Sequence, residues 1–216
     1  MKILKGCVSP IDAISGNIYL RIILCVVVAS LILLADVKLT EAQQGEWTGN
    51  VNIFLGAKAL DEDDWSPADE QGEFGIKVDF RPKSWPVNIA IDFLGSSGEG
   101  TAYDPYSRLT INLKSNITEL NVGIRKIWDN FPHVRPFIGG GLSFMNAEAE
   151  GSALGVTVSD SDTATGIWLG GGVYWTLSEH FNLGLELMYS SAKVEIFGVD
   201  ADAGGGHFGV LAGYHW

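Results

Sequence analysis

The chain has 216 residues, of which 46% are hydrophobic and 19% are charged, and its formal net charge is −12 at pH 7. The excess of 26 acidic over 14 basic residues argues against nucleic acid as a partner, because phosphate groups repel such a surface. Both cysteines, Cys7 and Cys25, lie near the start of the chain, so the rest of the fold must hold together without disulfide bonds.

The first 42 residues predict a secretory signal peptide. Basic residues precede an apolar run at 22–35, and a pattern of small residues that suits cleavage ends at Ala42. The run is shorter than the ~20 residues of a membrane-spanning helix, so an uncleaved anchor is the weaker alternative. We therefore assign residues 1–42 to a signal peptide and residues 43–216 to a single mature domain.

Segments in which apolar and polar residues alternate follow one another along the mature chain, and this period of two is typical of β-strands with unlike faces. In the fourth segment the apolar positions change phase midway, between Leu113 and Leu120, which predicts a β-bulge. The eight predicted strands lie at 51–59, 74–81, 87–93, 109–128, 134–144, 165–177, 181–191 and 207–216.

The connections between these segments alternate in length. Short turns follow the second, fourth and sixth segments, whereas longer acidic or glycine-rich stretches follow the first, third, fifth and seventh. Short turns at one end and long loops at the other are typical of outer-membrane barrels. The long stretches are 61–72, 95–108, 146–164 and 198–206.

Alternation alone does not say which face is inside, and a soluble lipocalin-like barrel is the competing interpretation. The polar face is rich in small residues and carries few charges, which suits a narrow interior better than a solvated surface. We therefore predict an all-β, eight-stranded antiparallel transmembrane β-barrel of outer-membrane type.

Aromatic residues near the strand ends predict interfacial girdles: Trp47, Phe80, Trp85, Trp128, Trp175, Phe181 and Trp216. The predicted charge network of the lumen comprises Lys77, Asp79, Asp92, Arg125, Arg135 and Glu186.

Two stretches, VRPFIGGGLSF at 134–144 and FGVLAGYHW at 208–216, resemble the OmpA-like outer-membrane β-barrel domain of the porin-like families of Gram-negative bacteria. The resemblance implies an outer-membrane location, contact with membrane lipid and lipopolysaccharide, and a monomer without a cofactor. It also implies that the last strand is recognised by the barrel-assembly machinery. The residues of this assembly signal are Phe208, Val210, Ala212, Tyr214 and Trp216.

The function predicted from these features is a non-enzymatic structural or surface-binding role carried by acidic extracellular loops. A narrow porin-like or OmpW-like channel for small solutes is one alternative. A lipid A-modifying enzyme is the other, because His207 could act with Ser190 and Glu186.

The acidic loops also raise the question of calcium. Residues 61–64, with Asp160, Asp162, Asp200 and Asp202, could supply oxygen ligands, but their spacing departs from that of an EF-hand loop. We predict a solvated acidic rim and no metal site.

Overall fold

The structure is a computed structural model that describes residues 47–104, 109–129, 133–178 and 180–216. The predicted signal peptide lies outside these ranges. No helix within them is long and apolar enough to span a membrane.

Ten strands and one short helix make up the described part of the chain. In chain order they are β1 (Trp47–Ala59), α1 (Glu62–Trp65), β2 (Glu70–Pro82), β3 (Asn88–Asp104), β4 (Leu109–Ile127), β5 (Val134–Ala153), β6 (Val156–Thr176), β7 (Phe181–Ser191), β8 (Lys193–Ile196), β9 (Val199–Asp202) and β10 (Gly205–His215).

Eight of these strands close into an antiparallel barrel in the order β1-β10-β7-β6-β5-β4-β3-β2, as predicted. Closure occurs between the first and last strands, where Ile53 lies opposite Ala212 of β10 and, on its other side, opposite Ile76 of β2. In hydrocarbon every backbone N–H and C=O must be paired within the protein, and a closed sheet achieves this. The β8–β9 hairpin forms a separate two-stranded sheet.

The apolar face of the barrel points outward, which confirms the membrane interpretation. Ile53, Phe74 and Leu187 expose 51%, 52% and 65% of their surface, whereas the intervening polar residues are buried inside. Because exposed apolar side chains continue around all eight strands, they form a lipid-facing band, which we call the apolar band. A soluble barrel would bury these side chains.

The largest differences from the predicted strands are in β3, β5 and β6, which are much longer because two of the long stretches taken for loops are mostly strand. β5 and β6 contain 20 and 21 residues and pair without a break from Val134–Trp175 to Ala153–Val156. β3 and β4 likewise remain paired as far as Asp104 and Leu109. The acidic and small residues of these stretches suggested loops. In the structure they belong to strands that continue from the membrane into water.

The predicted bulge in β4 is wrong. The register of β4 with both neighbours is continuous, and Leu113 lies on the same face as the buried Ile117. The apolar positions of β4 move from one face of the strand to the other because the strand passes from the membrane into water. Within the membrane the outward face of β4 is apolar, as at Leu120, whereas beyond the membrane the outward face is polar and the inward face is apolar.

Four strands therefore extend beyond the apolar band as a projecting sheet, which comprises residues 97–104, 109–117, 146–153 and 156–163. Long hairpins mark the extracellular end of an outer-membrane barrel. The β5–β6 hairpin turns at Leu154 and Gly155, which both have positive φ angles of 51° and 78°. Two such residues form the tight turn that matches the twist of paired strands, and glycine adopts this conformation without strain.

The extracellular end of the lumen is covered by a cap, formed by α1 and the β8–β9 hairpin. The Trp65 indole N–H donates to the Asp202 carbonyl oxygen at 2.8 Å, and the Asp202 N–H donates to an Asp64 carboxylate oxygen at 2.9 Å. A buried apolar cluster joins the cap to the barrel wall. Its members are Leu60, Trp65, Ile117, Met145, Ala147, Ala192, Val194, Ile196 and Ala203.

Two acidic side chains of β6 attach the β8–β9 hairpin to the projecting sheet. The N–H groups of Glu195 and Phe197 donate to carboxylate oxygens of Asp162 and Asp160 at 2.8 and 2.6 Å. The hydrogen bond from the Glu195 N–H, followed by that from the Thr163 N–H, lowers the pKa of Asp162, because both favour the ionised carboxylate. These aspartates therefore act as hydrogen-bond acceptors in the fold.

Candidate functional site

The middle of the barrel holds a buried group of charged side chains, which we call the lumen network: Lys77, Asp79, Asp92, Arg125 and Glu186. Strand alternation points all five inward, and the strand register places Lys77 directly opposite Asp92. Each is at most 2% exposed.

Arg125 connects the acidic members of this network. Its guanidinium nitrogens lie 2.7 Å from Asp92, 3.2 Å from Asp79 and 3.8 Å from Glu186. Lys77 completes the network at 2.9 Å from Glu186 and 3.4 Å from Asp92. Since such charges are stable in a buried site only when paired, the network holds β2, β3, β4 and β7 in one arrangement.

Aromatic rings pack around these cations. The Arg125 guanidinium lies 5.4 Å from the ring centre of Phe137 and 5.9 Å from that of Trp168, and the Lys77 ammonium lies 4.8 Å from that of Phe54. These distances suit cation–π attraction. An eight-stranded barrel is just wide enough for side chains, and here charged and aromatic groups fill it.

Arg135, the sixth residue of the predicted network, occupies a different position. Its Nε lies 2.8 Å from a carboxylate oxygen of Asp129, near the end of the barrel opposite the cap. A long hydrogen bond of 3.4 Å to the Asn50 side chain connects it to the lumen, and Asn50 in turn donates to Asp79 at 2.7 Å. Arg135 is the second residue of β5, at the mouth of the barrel, and it pairs there with the exposed Asp129 and not with the lumen network.

A second buried network lies nearer the cap, and the sequence interpretation missed three of its members: Lys58, Glu73 and Glu119. Lys58 Nζ is 3.1 Å from Glu119 and also donates to the Ala203 carbonyl oxygen at 2.9 Å, which anchors the cap. The alternation of inward-facing and outward-facing positions along each strand could have identified these residues. Glu73 shares the inward face of β2 with Lys77, and Lys58 lies opposite His207.

His207 and Ser190 belong to this second network. Ser190 Oγ and His207 Nε2 are 2.9 Å apart, and His207 Nδ1 lies 2.9 Å from Glu73. The sequence pattern suggested Glu186 as the carboxylate, but Glu186 pairs with Lys77 in the lumen network.

The order serine, histidine, carboxylate matches the connectivity of a catalytic triad. However, Ser190 is 0% exposed and His207 is 2% exposed. The Ser190 hydroxyl also contacts Glu119 at 3.3 Å. Because both side chains are buried and hydrogen-bonded inside the barrel, this geometry is that of a structural hydrogen-bond network.

The acidic loop residues considered as calcium ligands form hydrogen bonds with different backbone groups and do not converge on one point. Asp61 caps α1 by accepting the Asp63 N–H, and Asp64 accepts the Asp202 N–H. Asp202 accepts the N–H groups of Ala192 and Gly204, which flank the β8–β9 hairpin. Across the described ranges, no three His, Cys, Asp or Glu side chains come close enough together to hold a metal ion.

Four of the five residues of the predicted assembly signal lie on the outward face of β10, and Trp216 follows the last residue of this strand; all five are exposed, within the apolar band. Trp216 continues this strand: its N–H donates to the Gly49 carbonyl oxygen at 3.1 Å, and its carbonyl accepts the Gly49 N–H at 3.3 Å. The indole ring lies against Gly49, where a Cβ would come within 2.6 Å of a ring atom. Trp216 therefore lies at the seam between the first and last strands.

Replacing Trp216 with aspartate should reduce the yield of folded barrel several-fold without blocking export across the inner membrane. The substitution removes the ring from the seam and places a charge at the membrane interface. Outer-membrane yield and heat-modifiable mobility on a gel would measure the effect. The control is Trp85→Asp, which changes a tryptophan of similar exposure in the β2–β3 turn. Equal yields for the two variants would contradict the prediction.

The closed eight-stranded sheet, with an apolar exterior and a packed, charged interior, defines an integral β-barrel protein of the bacterial outer membrane. In agreement, the model of the family described as "Outer membrane protein beta-barrel domain" matches residues 24–216, and the chain belongs to this family.

Solved structures with similar folds come from several bacteria. The attachment invasion locus protein Ail of Yersinia pestis is 16% identical, over 79% of this chain and 99% of Ail, with a TM-score of 0.48. OprG of Pseudomonas aeruginosa is 12% identical, over 80% and 96% of the two chains, with a TM-score of 0.48. Neisserial surface protein A is 12% identical, over 78% and 94%, with a TM-score of 0.43. No curated protein matches the sequence.

Proposed function

We propose that this barrel is a non-enzymatic surface-binding protein whose projecting sheet and cap bind a partner outside the cell. The observation that carries the proposal is the projecting sheet. Four strands keep a regular ladder well beyond the apolar band, as far as the Ala153–Val156 pair. A barrel that only spanned the membrane would not need such an extension. Binding residues are commonly presented by segments on a rigid scaffold.

The charge of the extracellular end favours a partner with positive charge. Lys58 is buried in its ion pair and Lys114 lies 3.4 Å from Glu99, so Lys193 of β8 is the exposed cation of the cap. Many acidic side chains are exposed or partly exposed there, and they attract cations and repel anions. They include Asp61, Glu62, Asp63, Asp64, Asp69, Glu70, Glu99, Glu148, Glu150, Glu195 and Asp200.

A channel is the second candidate, and the interior argues against it. The lumen network and its aromatic neighbours occupy the middle of the barrel, and Lys58 attaches the cap above it. We therefore expect little ion conductance.

The apolar band favours a monomer surrounded by membrane lipid and lipopolysaccharide. Exposed apolar side chains occur on every one of the eight barrel strands. We also propose that the outward face of β10 is the segment that the barrel-assembly machinery recognises, as the resemblance implies.

Shortening the projecting sheet should weaken the binding of a cationic macromolecule, because it removes the acidic residues Glu148, Glu150 and Asp160. Ala147 and Asp162 are paired, so Asn-Gly in place of residues 148–161 gives a tight hairpin and leaves the apolar band unchanged. Wild type and variant, each in nanodiscs of neutral lipid, would be tested for binding to polylysine. Wild-type binding should weaken with salt, because salt screens exposed charges.

Two outcomes would contradict the proposal. One is equal polylysine binding by the shortened and wild-type proteins. The other is large, steady conductance of the wild-type protein in planar bilayers, which would favour the channel.

A further inference from the structure

Side chains, and not a backbone ladder, attach the β8–β9 hairpin to the projecting sheet. β8 lies against β6, but β8 and β9 pair only with each other and form a separate sheet. The N–H groups of Glu195 and Phe197 point to β6, where they meet the carboxylates of Asp162 and Asp160 at 2.8 and 2.6 Å. These two carboxylates therefore occupy the place of the backbone carbonyl groups that would otherwise extend the sheet.

This replacement makes the attachment sensitive to pH, because a carboxylate can be protonated in ordinary buffers and a backbone carbonyl cannot. Asp160 and Asp162 are both partly exposed, so protons from the solvent reach them. A hydrogen bond to an ionised carboxylate is roughly twice as strong as one between neutral groups. Protonation of the two aspartates therefore weakens both bonds that hold the hairpin against β6.

The groups that surround the two carboxylates are mostly apolar or acidic. Asp162 and Asp160 lie directly opposite Ala147 and Ala149 of β5. None of the described basic side chains forms an ion pair with either aspartate. Like charges nearby favour protonation of the aspartates, whereas the hydrogen bonds from the hairpin favour their ionised form. The charged residues of the cap and of the lumen below it are Asp61, Glu62, Asp63, Asp64, Lys193, Glu195, Asp200, Asp202, Lys58 and Glu119.

The hydrogen bonds prevail over this repulsion at Asp162. The N–H of Glu195, followed by that of Thr163, lowers the pKa of Asp162 below its ordinary value of 3.8. A carboxylate whose pKa is lowered in the attached state stabilises that state above its ordinary pKa, and this stabilisation is lost as the pH falls through the lowered pKa. Acid therefore weakens the attachment.

We infer that the β8–β9 hairpin is an acid-sensitive part of the cap, which leaves the inward face of the projecting sheet below about pH 4 while the barrel remains closed. The barrel remains closed because backbone hydrogen bonds, which do not titrate in this range, join its eight strands. Val194 and Ile196 are 2% and 8% exposed in the attached hairpin. Their departure uncovers Ile117 and Met145, which belong to the same apolar cluster on the barrel wall.

Amide hydrogen exchange, measured by NMR on the full protein in nanodiscs of neutral lipid, tests this inference. Each rate between pH 7 and pH 3 would be divided by the intrinsic rate at the same pH, which gives a protection factor. The protection factors of Glu195 and Phe197 should fall at least about tenfold below pH 4, because two charge-assisted bonds are weakened together. They should recover at pH 7, and the protection factor of Ile53 in the barrel should not change.

Two double variants separate the charge of the aspartates from their role as acceptors. Asp160→Asn with Asp162→Asn keeps an acceptor oxygen at each position but removes the titrating group. Its protection factors at Glu195 and Phe197 should change less than twofold between pH 7 and pH 3. Asp160→Ala with Asp162→Ala removes the acceptors, so protection there should already be low at pH 7. The control is Asp200→Asn, which changes an exposed carboxylate opposite Glu195 in the hairpin and should keep the full acid response.

Three results would overturn the inference. The first is equal protection of Glu195 and Phe197 at pH 7 and pH 3 in the wild-type protein. The second is a full acid response in the double asparagine variant, which would assign the release to Asp64 and Asp202 at the base of the hairpin. The third is a simultaneous loss of protection at Ile53, which would mean that the whole barrel opens. The inference goes beyond the proposed function, and polylysine binding at neutral pH tests that function separately.

Discussion

Replacing Arg125 with alanine is expected to destabilise the folded barrel by about 3–5 kcal/mol, the usual effect of removing one partner from a buried ion pair. Arg125 is the cation nearest to both Asp79 and Asp92. Without it, Lys77 alone remains to balance three buried carboxylates. The loss is large because water cannot readily replace a guanidinium group that is packed between aromatic rings.

Urea unfolding of the protein refolded in lipid vesicles, followed by tryptophan fluorescence, would measure this effect. The matched control is Lys114→Ala, which removes a cation whose 3.4 Å pair with Glu99 is exposed on the projecting sheet. An exposed pair contributes only about 0–1 kcal/mol. A similar small change for both variants would show that the lumen network adds little to stability.

Strand alternation predicts which residues point inward, and it therefore predicts most of the barrel. In β2 the sequence alone places Lys77 and Asp79 on the face opposite Phe74, as the structure does. The membrane interpretation followed because the alternate face carries almost no charge. Both inferences use neighbours along a single strand, where the period of two is reliable.

The parts of the structure that could not be predicted from the sequence depend on contacts between distant strands. Nothing local indicates that His207 would meet Glu73, 134 positions away, rather than Glu186. Likewise, Leu113 is apolar on the inner face of β4 because the cap lies nearby, and only the assembled sheet shows this. The register between strands, which the sequence leaves open, decides both contacts.

Replacing Ile53 with arginine is expected to destabilise the barrel by about 2–4 kcal/mol, the range for a cation on the lipid face at the middle of the membrane. Ile53 lies near the centre of the apolar band, opposite Ala212 and Ile76, and its side chain is half exposed to lipid. An arginine there has no inward-facing carboxylate within reach, because its side chain points away from the lumen network.

An arginine introduced beyond the apolar band should have almost no effect on stability. The contrast between the two positions tests where the membrane ends. Ser159 is exposed on the outward face of the projecting sheet, directly opposite Glu150. Ser159→Arg therefore places the guanidinium group in water beside a carboxylate, and surface pairs of this kind change stability by only about 0–1 kcal/mol. Urea unfolding in vesicles would measure both variants. A destabilisation at Ser159 as large as that at Ile53 would mean that the membrane extends over the projecting sheet, which would remove the water-exposed surface that the proposed binding role requires.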